Sequence, residues 1–409
     1  MASPLRRQVA LLRRTGSFRL LFLATLGSGI GTWMATIALT ADLTARTGSP
    51  WWVSLLFIVT FLPSVVVGLT AGPLVDRLSR KRLIVNADLV RLGVFVVLVF
   101  VASPAAIVIL AAVAGTANSF FRPAVLAGVP NLVDEEDLAH GTSLLQATDW
   151  TAAAVGPVLG GVIVSVSGAD LVYWVNAATF LFSALLLLRI PAGLLQSEQA
   201  ITRGHWRDLA DGLVAFRRSA ALLTALVAFG FAMIAVGFNN VAEIFLAERA
   251  LHRGAFGYGL LWTATGIGLV IGSLVSGSLV ERRDVRNVYP LVFLPWAAGL
   301  LGAAAAPDIW VAAVAMVLAG FGNGLTFPMT VLIVQRGTSD SLRGRAFTVI
   351  ISVHNEVLGL ALVAAGALTE SSGPRWVYAW AAALLAFGGA IAFVLFRTGE
   401  APVAVREGT

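Results

Sequence analysis

The chain has 409 residues, of which 58% are hydrophobic and only 12% charged, and its formal net charge is +6. Soluble domains carry about 25% charged residues, so this chain has too little polar material to cover soluble domains. The composition excludes a soluble enzyme, a disordered chain and a nucleic-acid-binding protein, and it predicts an all-α membrane protein. Because cysteine is absent and the four histidines are scattered, we expect no disulfide, no metal site and no cofactor.

Twelve segments are apolar enough to cross a membrane, which takes a helix of about 20 residues. They cover 18–43, 51–75, 83–102, 105–129, 142–166, 171–190, 219–246, 256–280, 288–306, 308–335, 345–369 and 375–396. The longest polar segment, 191–218, carries Trp206, Leu209, Leu213 and Phe216 at helical spacing, which predicts an amphipathic helix on the membrane surface. We therefore expect two six-helix bundles, residues 1–190 and 219–409, with this linker between them.

The basic residues are distributed unevenly between the two sides of the membrane. With a cytoplasmic N-terminus, 23 of the 28 lie in inner segments and 4 in outer segments, while Arg91 lies within a span. Lys and Arg accumulate on the cytoplasmic side of membrane proteins. The sequence thus predicts a multi-pass protein of the inner (cytoplasmic) membrane with both termini in the cytoplasm, and the membrane lipids as partners of its basic residues.

The two halves of the chain repeat. Residues 72–77 (Gly-Pro-Leu-Val-Asp-Arg) follow the second span, and residues 277–282 (Gly-Ser-Leu-Val-Glu-Arg) follow the eighth span 205 positions later. The same offset relates Pro123 to Pro328 and Gly161 to Gly366. A duplicated six-helix unit indicates two pseudo-symmetric bundles that move about a central site.

The loop after the second span carries a recognisable motif. Residues 72–82 read Gly-Pro-Leu-Val-Asp-Arg-Leu-Ser-Arg-Lys-Arg, which resembles the signature loop of the major facilitator superfamily. The resemblance implies that fold for nearly the whole chain, and a latch that stabilises the outward-facing state. The gating residues would be Gly72, Asp76, Arg77, Arg80, Lys81 and Arg122.

Asp76 stands at the C-terminal end of a helix, where the helix dipole repels a carboxylate. Its compensation is expected from Arg77, Arg80, Arg122 or the N-terminal end of the span that begins near Arg345. The alternative is that the basic residues of this loop only set the topology.

A second motif lies on the fifth span. Gly156, Pro157, Gly160 and Gly161 resemble the end of the motif of the exporter (antiporter) branches, although Ala152 and Ser143 stand where that motif has glycines. Residues 120–124, 130–133 and 138 resemble the enterobactin-exporter and macrolide-efflux group, which implies a monomeric, proton-driven exporter. We expect the three glycines to let helices approach closely and Pro157 to bend its helix.

Ionisable residues inside spans are costly and are therefore candidates for function. Two sets, Asp42 with Arg46 and Asp88 with Arg91, have helical spacing and are interpreted as structural ion pairs. Three carboxylates without a basic partner in their own helix are candidates for proton coupling, together with a histidine at the repeat position of the first. They are Asp149, Glu356, Glu243 and His354. The alternative is a hydrogen-bonded structural carboxylate or the wall of a water-filled cavity.

Polar and aromatic residues of the central spans predict the wall of a substrate cavity. The candidates are Trp33, Met34, Asn118, Phe121, Gln146, Trp150, Phe238, Asn239, Trp262, Asn323 and Phe327. Aromatic and methionine side chains beside a few amides suit a bulky amphipathic organic compound. A strongly anionic substrate is disfavoured, since we expect no buried pair of arginines on the central helices.

These features together predict a secondary transporter that works by alternating access, with protons and a small organic molecule as its partners and with no nucleic acid. The main hypothesis is proton-driven export of a drug, antibiotic or siderophore-like metabolite. An importer or facilitator of a small nutrient is the alternative on the same fold, and a non-transporting membrane protein is a third class. The chain lacks a P-loop, so ATP is not the expected energy source, and nothing indicates an enzyme.

Overall fold

The computed structural model describes residues 4–70, 79–195, 219–282, 284–338 and 340–398, and within these ranges the chain is helical without strands. The helices are α1 Pro4–Arg14, α2 Gly16–Thr47, α3 Pro50–Thr70, α4 Arg80–Leu98, α5 Pro104–Gly128, α6 Leu138–Ser167, α7 Ala169–Leu188, α8 Ala220–Phe245, α9 Gly254–Arg282, α10 Val285–Val288, α11 Phe293–Ala305, α12 Ile309–Gly337, α13 Asp340–Ser372 and α14 Pro374–Thr398. Short 3₁₀ turns occupy Val129–Asn131, Glu135–Asp137, Ala192–Leu195 and Tyr289–Val292, and a π-helical turn occupies Leu246–Ala250.

The predicted all-α membrane fold is confirmed. Eleven helical segments of the described part are long and apolar enough to cross a membrane. The predicted span 83–102 corresponds to α4, which is not among these eleven segments because it carries several charged residues. The predicted span 288–306 is interrupted, because a 3₁₀ turn precedes α11 at Pro290, a residue that lacks the backbone N–H a helix needs.

Two compact units make up the fold. The first comprises Met1–Arg203 and Ile244–Thr263. In it α2 packs against α6 and α7, α4 packs against α5 and α7, and α3 packs against α5. Its apolar core includes Phe18, Leu21, Ile84, Phe95 and Phe180, all fully or almost fully buried. These helices surround the cavity described below.

The second unit comprises Gly204–Glu243 and Ala264–Thr409. In it α11 packs against α12 and α14. The N-terminus of α12 is capped by Asp308, whose carboxylate accepts hydrogen bonds from the backbone N–H groups of Trp310 and Val311 at 2.8 and 3.1 Å. The predicted linker helix in 191–218 lies almost entirely outside the described residues.

The internal repeat is visible as matching local geometry in the two units. Gly168 and Gly373, 205 positions apart, both adopt positive φ angles of 81° and 83° at the junction of two helices. In each unit a glycine also lies against the backbone of a threonine in a neighbouring helix: Gly115 against Thr60, and Gly320 against Thr265, again at the same offset. Close helix crossings of this kind need a residue without a side chain.

Candidate functional site

The first unit contains a cavity of about 390 Å³. Its wall is formed by Thr25, Ser28, Gly29, Thr32, Trp33, Thr36, Leu39, Leu56, Phe57, Thr60, Phe61, Ser64, Arg91, Asn118, Phe121, Arg122, Val125, Leu126, Leu145, Asp149 and Trp262. Four predicted cavity residues, Trp33, Asn118, Phe121 and Trp262, and one proton-coupling candidate, Asp149, lie here. A volume of this size fits a drug-sized organic molecule.

One wall is a row of hydroxyl groups on α2 that was not predicted from the sequence. Thr25, Ser28, Thr32 and Thr36 follow one another at spacings of three or four, so they share a face of the helix. Each hydroxyl donates to a backbone carbonyl of the preceding turn, at 2.7 to 3.5 Å. Because the protons are used within the helix, this wall offers the cavity hydrogen-bond acceptors. The spacing alone was the signal that could have identified the row.

Aromatic rings form the apolar part of the wall. The rings of Trp33 and Trp262 lie 5.2 Å apart at an angle of 54°. Phe57 and Phe61 are stacked with their centroids 6.3 Å apart, and Phe121 adds a further ring. Such rings offer large flat surfaces to an apolar ligand.

An ion pair joins two neighbouring helices at the cavity. Arg122 of α5 donates to Asp149 Oδ2 of α6 at 2.8 Å, and the side chains are 54% and 34% exposed. The sequence shows no basic partner for Asp149 in its own helix, and Arg122 was expected as a possible partner of Asp76. The structure pairs Arg122 with Asp149, while Asp76 lies outside the described residues. Such a partly exposed pair is accessible to protons and ligands.

A buried polar network lies behind the cavity wall. The predicted pair of Asp88 and Arg91 is confirmed, with a bond of 2.5 Å, and Ser183 donates to the second carboxylate oxygen of Asp88 at 2.6 Å. Arg91 also donates to Asn118 Oδ1 at 3.0 Å, and its guanidinium lies over the ring of Phe121. With Oδ1 engaged, Asn118 presents its amide N–H groups as donors to the cavity.

Two arginines meet at the cavity, but they are not a buried pair, because the side chain of Arg122 is 54% exposed. Both Arg91 and Arg122 line it. Arg91 belongs to α4, and its long side chain reaches Asn118 on the neighbouring helix α5. Since Asp88 and Asp149 neutralise both arginines, the cavity is polar without a large net charge.

Other predicted cavity residues lie elsewhere. In the first unit Met34 is buried in the apolar core, Gln146 is exposed and Trp150 is half-buried. In the second unit Phe238 is buried, Asn239 and Asn323 are half-buried, and Phe327 is exposed. None of these seven residues belongs to the wall of the cavity in the first unit.

Three of the four proton-coupling candidates belong to the second unit. His354 is buried, its ring lies 4.7 Å from that of Phe229, and its Nε2 is 3.1 Å from the carbonyl oxygen of Leu226. Glu243 accepts a hydrogen bond from Asn239, and Glu356 is exposed on α13.

The gating loop is described only in part, because Gly72, Asp76 and Arg77 lie outside the described residues. Arg80 donates to the carbonyl of Ala127 at 2.9 Å, near the end of α5. Lys81 donates to the carbonyls of Leu188 and Ile190 at 2.8 and 2.6 Å, at the end of α7. Both cations therefore stabilise the negative C-terminal ends of neighbouring helices.

We expect Lys81→Met to lower the free energy of unfolding by about 1–2 kcal/mol, because two helix-terminal carbonyls lose a charged donor. The matched control is Arg82→Met, since Arg82 is exposed and only its backbone N–H takes part in a capping bond. Denaturant titration of the purified protein in detergent measures both variants. Equal losses would show that general charge, rather than capping, explains the effect of Lys81.

The glycines of the fifth-span motif allow close packing, as predicted. Side chains added at Gly156 or Gly160 would collide with the backbone of α2 at Ile30 and Met34. One added at Gly161 would collide with the carbonyl of Ala255, in the part of α9 that belongs to the first unit. Pro157 lies inside α6.

Comparison with known proteins gives one consistent result. The chain matches the family model described as "Transmembrane secretion effector" over residues 7–404. It is 24% identical to the multidrug efflux pump Tap of Mycolicibacterium fortuitum, covering 96% of this chain and 98% of that protein. It is 26% identical to the enterobactin exporter EntS of Citrobacter koseri, covering 82% and 81%.

A solved structure of a mutant of the nucleoside transporter NupG is also similar, with a TM-score of 0.77 and 13% identity over 93% of this chain and 99% of that one. At that identity the likeness supports the fold alone. The family model, however, covers nearly the whole chain. The chain therefore belongs to the transmembrane secretion effector family of the major facilitator superfamily and is a multi-pass membrane transporter.

Proposed function

We propose that the protein exports a bulky amphipathic organic compound in exchange for protons, by alternating access. It would work in the cytoplasmic membrane with both termini in the cytoplasm. The observation that carries this proposal is the ion pair between Arg122 and Asp149 at 2.8 Å on the wall of an aromatic cavity. The relatives named as a multidrug efflux pump and an enterobactin exporter support the direction of transport.

Asp149 is the group assigned to proton coupling. Its Oδ2 accepts from Arg122, and its 34% exposure leaves Oδ1 accessible to a donor group of the substrate. A proton on Asp149 neutralises the carboxylate, which weakens both the ion pair and the bond to the substrate. Because linkage is reciprocal, a proton that lowers the affinity for substrate is itself displaced when substrate binds. That competition is the requirement for exchange.

The polar groups of the cavity define the substrate more closely. The hydroxyl row on α2 offers acceptors, whereas Asn118 offers donors. A matching compound carries hydroxyl or amine donors, a carbonyl or similar acceptor, and an apolar body that contacts the aromatic rings. We therefore expect neutral or weakly basic aromatic compounds with several polar groups.

The test uses inverted membrane vesicles with an acidic lumen. Addition of a transported drug or siderophore should collapse the proton gradient in the wild type, and Asp149→Asn should abolish the collapse because the residue no longer exchanges a proton. Asp134→Asn is the matched control, since Asp134 is an exposed carboxylate before α6. The gradient is followed with a pH-sensitive dye.

Each other outcome reassigns the function. A collapse that persists in Asp149→Asn but is lost in Glu356→Gln or His354→Gln would move the coupling group to α13. If the proton gradient collapses only when the compound is loaded into the lumen, the protein imports a nutrient. A wild type that binds compounds without any gradient change would exclude proton coupling.

A further inference from the structure

A second carboxylate is buried in α8 without a charged partner. Glu243 is 1% exposed, and its Oε2 accepts a hydrogen bond of 2.7 Å from Asn239 Nδ2, one helical turn away. Two atoms of this couple, Glu243 Oε1 and Asn239 Oδ1, are buried and have no hydrogen-bond partner among the described residues. Buried polar atoms are paired in the great majority of cases, so two orphaned oxygens on adjacent side chains need an explanation.

Donor and acceptor counting supplies that explanation. An ionised carboxylate only accepts hydrogen bonds, and an amide oxygen only accepts, so neither orphaned oxygen can serve the other. A proton on Glu243 turns Oε1 into a donor. The couple then contains an O–H donor beside the amide N–H groups, so its oxygens are no longer acceptors alone.

The electrostatic setting points to the same state. Within the described ranges no ion pair involves Glu243, since the four salt bridges there use other residues. The nearest charged residues along the chain are Glu248 and Arg249, and Arg249 lies over the ring of Phe245 and donates to the carbonyl of Gly48. An ionised carboxylate buried without a partner is far more costly than a neutral acid.

We propose that Glu243 and Asn239 form a proton-binding site in which Glu243 carries a proton at neutral pH. A metal cation fits less well, because hard cations take about six oxygen ligands and this helical turn offers two. The site is separate from the ion pair of Arg122 and Asp149. It does not depend on the proposed function, because a proton can be held here whether or not Asp149 couples transport.

Infrared spectroscopy of the full-length protein in detergent tests the proposal without any substrate. We expect a carbonyl band of a protonated carboxylic acid at neutral pH, shifted by deuterium exchange, in the wild type. Glu243→Gln should remove the band and still fold, because glutamine offers the same hydrogen bonds as the neutral acid. The matched control, Glu356→Gln, replaces an exposed carboxylate and should leave the band unchanged.

Asn239→Leu is the second variant, and it keeps the acid but removes its amide partner. It should shift the band to higher frequency, which provides a test even where Glu243→Gln does not accumulate. Absence of the band in the wild type, or its survival in Glu243→Gln, overturns the proposal. Loss of the wild-type band on addition of sodium ions would assign the site to a metal cation instead and also overturn it.

Discussion

Arg91→Met is expected to lower the free energy of unfolding by about 3–5 kcal/mol, because it leaves the carboxylate of Asp88 buried without its cation. Asp88 is fully buried and would retain only the hydroxyl of Ser183 as a partner. Asn118 would also lose the bond that turns its amide toward the cavity. Denaturant titration in detergent measures the stability. A lower affinity for ligand would show that the amide of Asn118 has lost its orientation.

A double variant and a comparison with a second ion pair show whether the unpaired, buried charge of Asp88 causes the loss of stability. Asp88→Asn combined with Arg91→Met removes the stranded charge and should recover a large part of the loss. Arg46→Met breaks the more exposed pair with Asp42, whose bond is 2.7 Å long, and should cost less than about 1 kcal/mol. If Arg91→Met and Arg46→Met cost the same, burial does not determine the strength of these pairs and the prediction fails.

Replacing two glycines by alanine should change stability in opposite directions. A Cβ atom at Gly160 would lie 2.7 Å from the carbonyl oxygen and 2.9 Å from the Cα of Met34, so α2 and α6 must separate. Overpacking of this kind costs about 1–3 kcal/mol. Gly93 has no atom within 4 Å of the same position, so Gly93→Ala should stabilise its helix by up to about 1 kcal/mol.

Thermal unfolding of both alanine variants beside the wild type checks this pair of predictions. Gly160→Ala should unfold at a lower temperature than the wild type, and Gly93→Ala at an equal or higher one. Because the substitution is identical, its effect on the unfolded chain cancels in the comparison. A similar fall in the unfolding temperature of both variants would mean that the contact with Met34 is not what distinguishes Gly160, and it would contradict the prediction.

Features that depend on neighbouring residues could be predicted from the sequence. Spans are recognised by a local run of apolar residues, and the repeat by a constant offset. The two structural ion pairs join residues three or four apart on a single helix, where helical geometry alone brings them together. The glycines of α6 were identified by the resemblance of their segment to the exporter motif.

Other features required the packing of separate helices. Arg122 and Asp149, and likewise Arg91 and Asn118, lie on different helices. Their contacts depend on helix rotation and crossing distance, which the sequence pattern does not specify. The spacing of the hydroxyl row on α2 is visible in the sequence, but only the tertiary structure decided that this face lines a cavity. Sequence alone therefore determined the membrane fold and its duplication, whereas packing between helices decided the chemistry of the site.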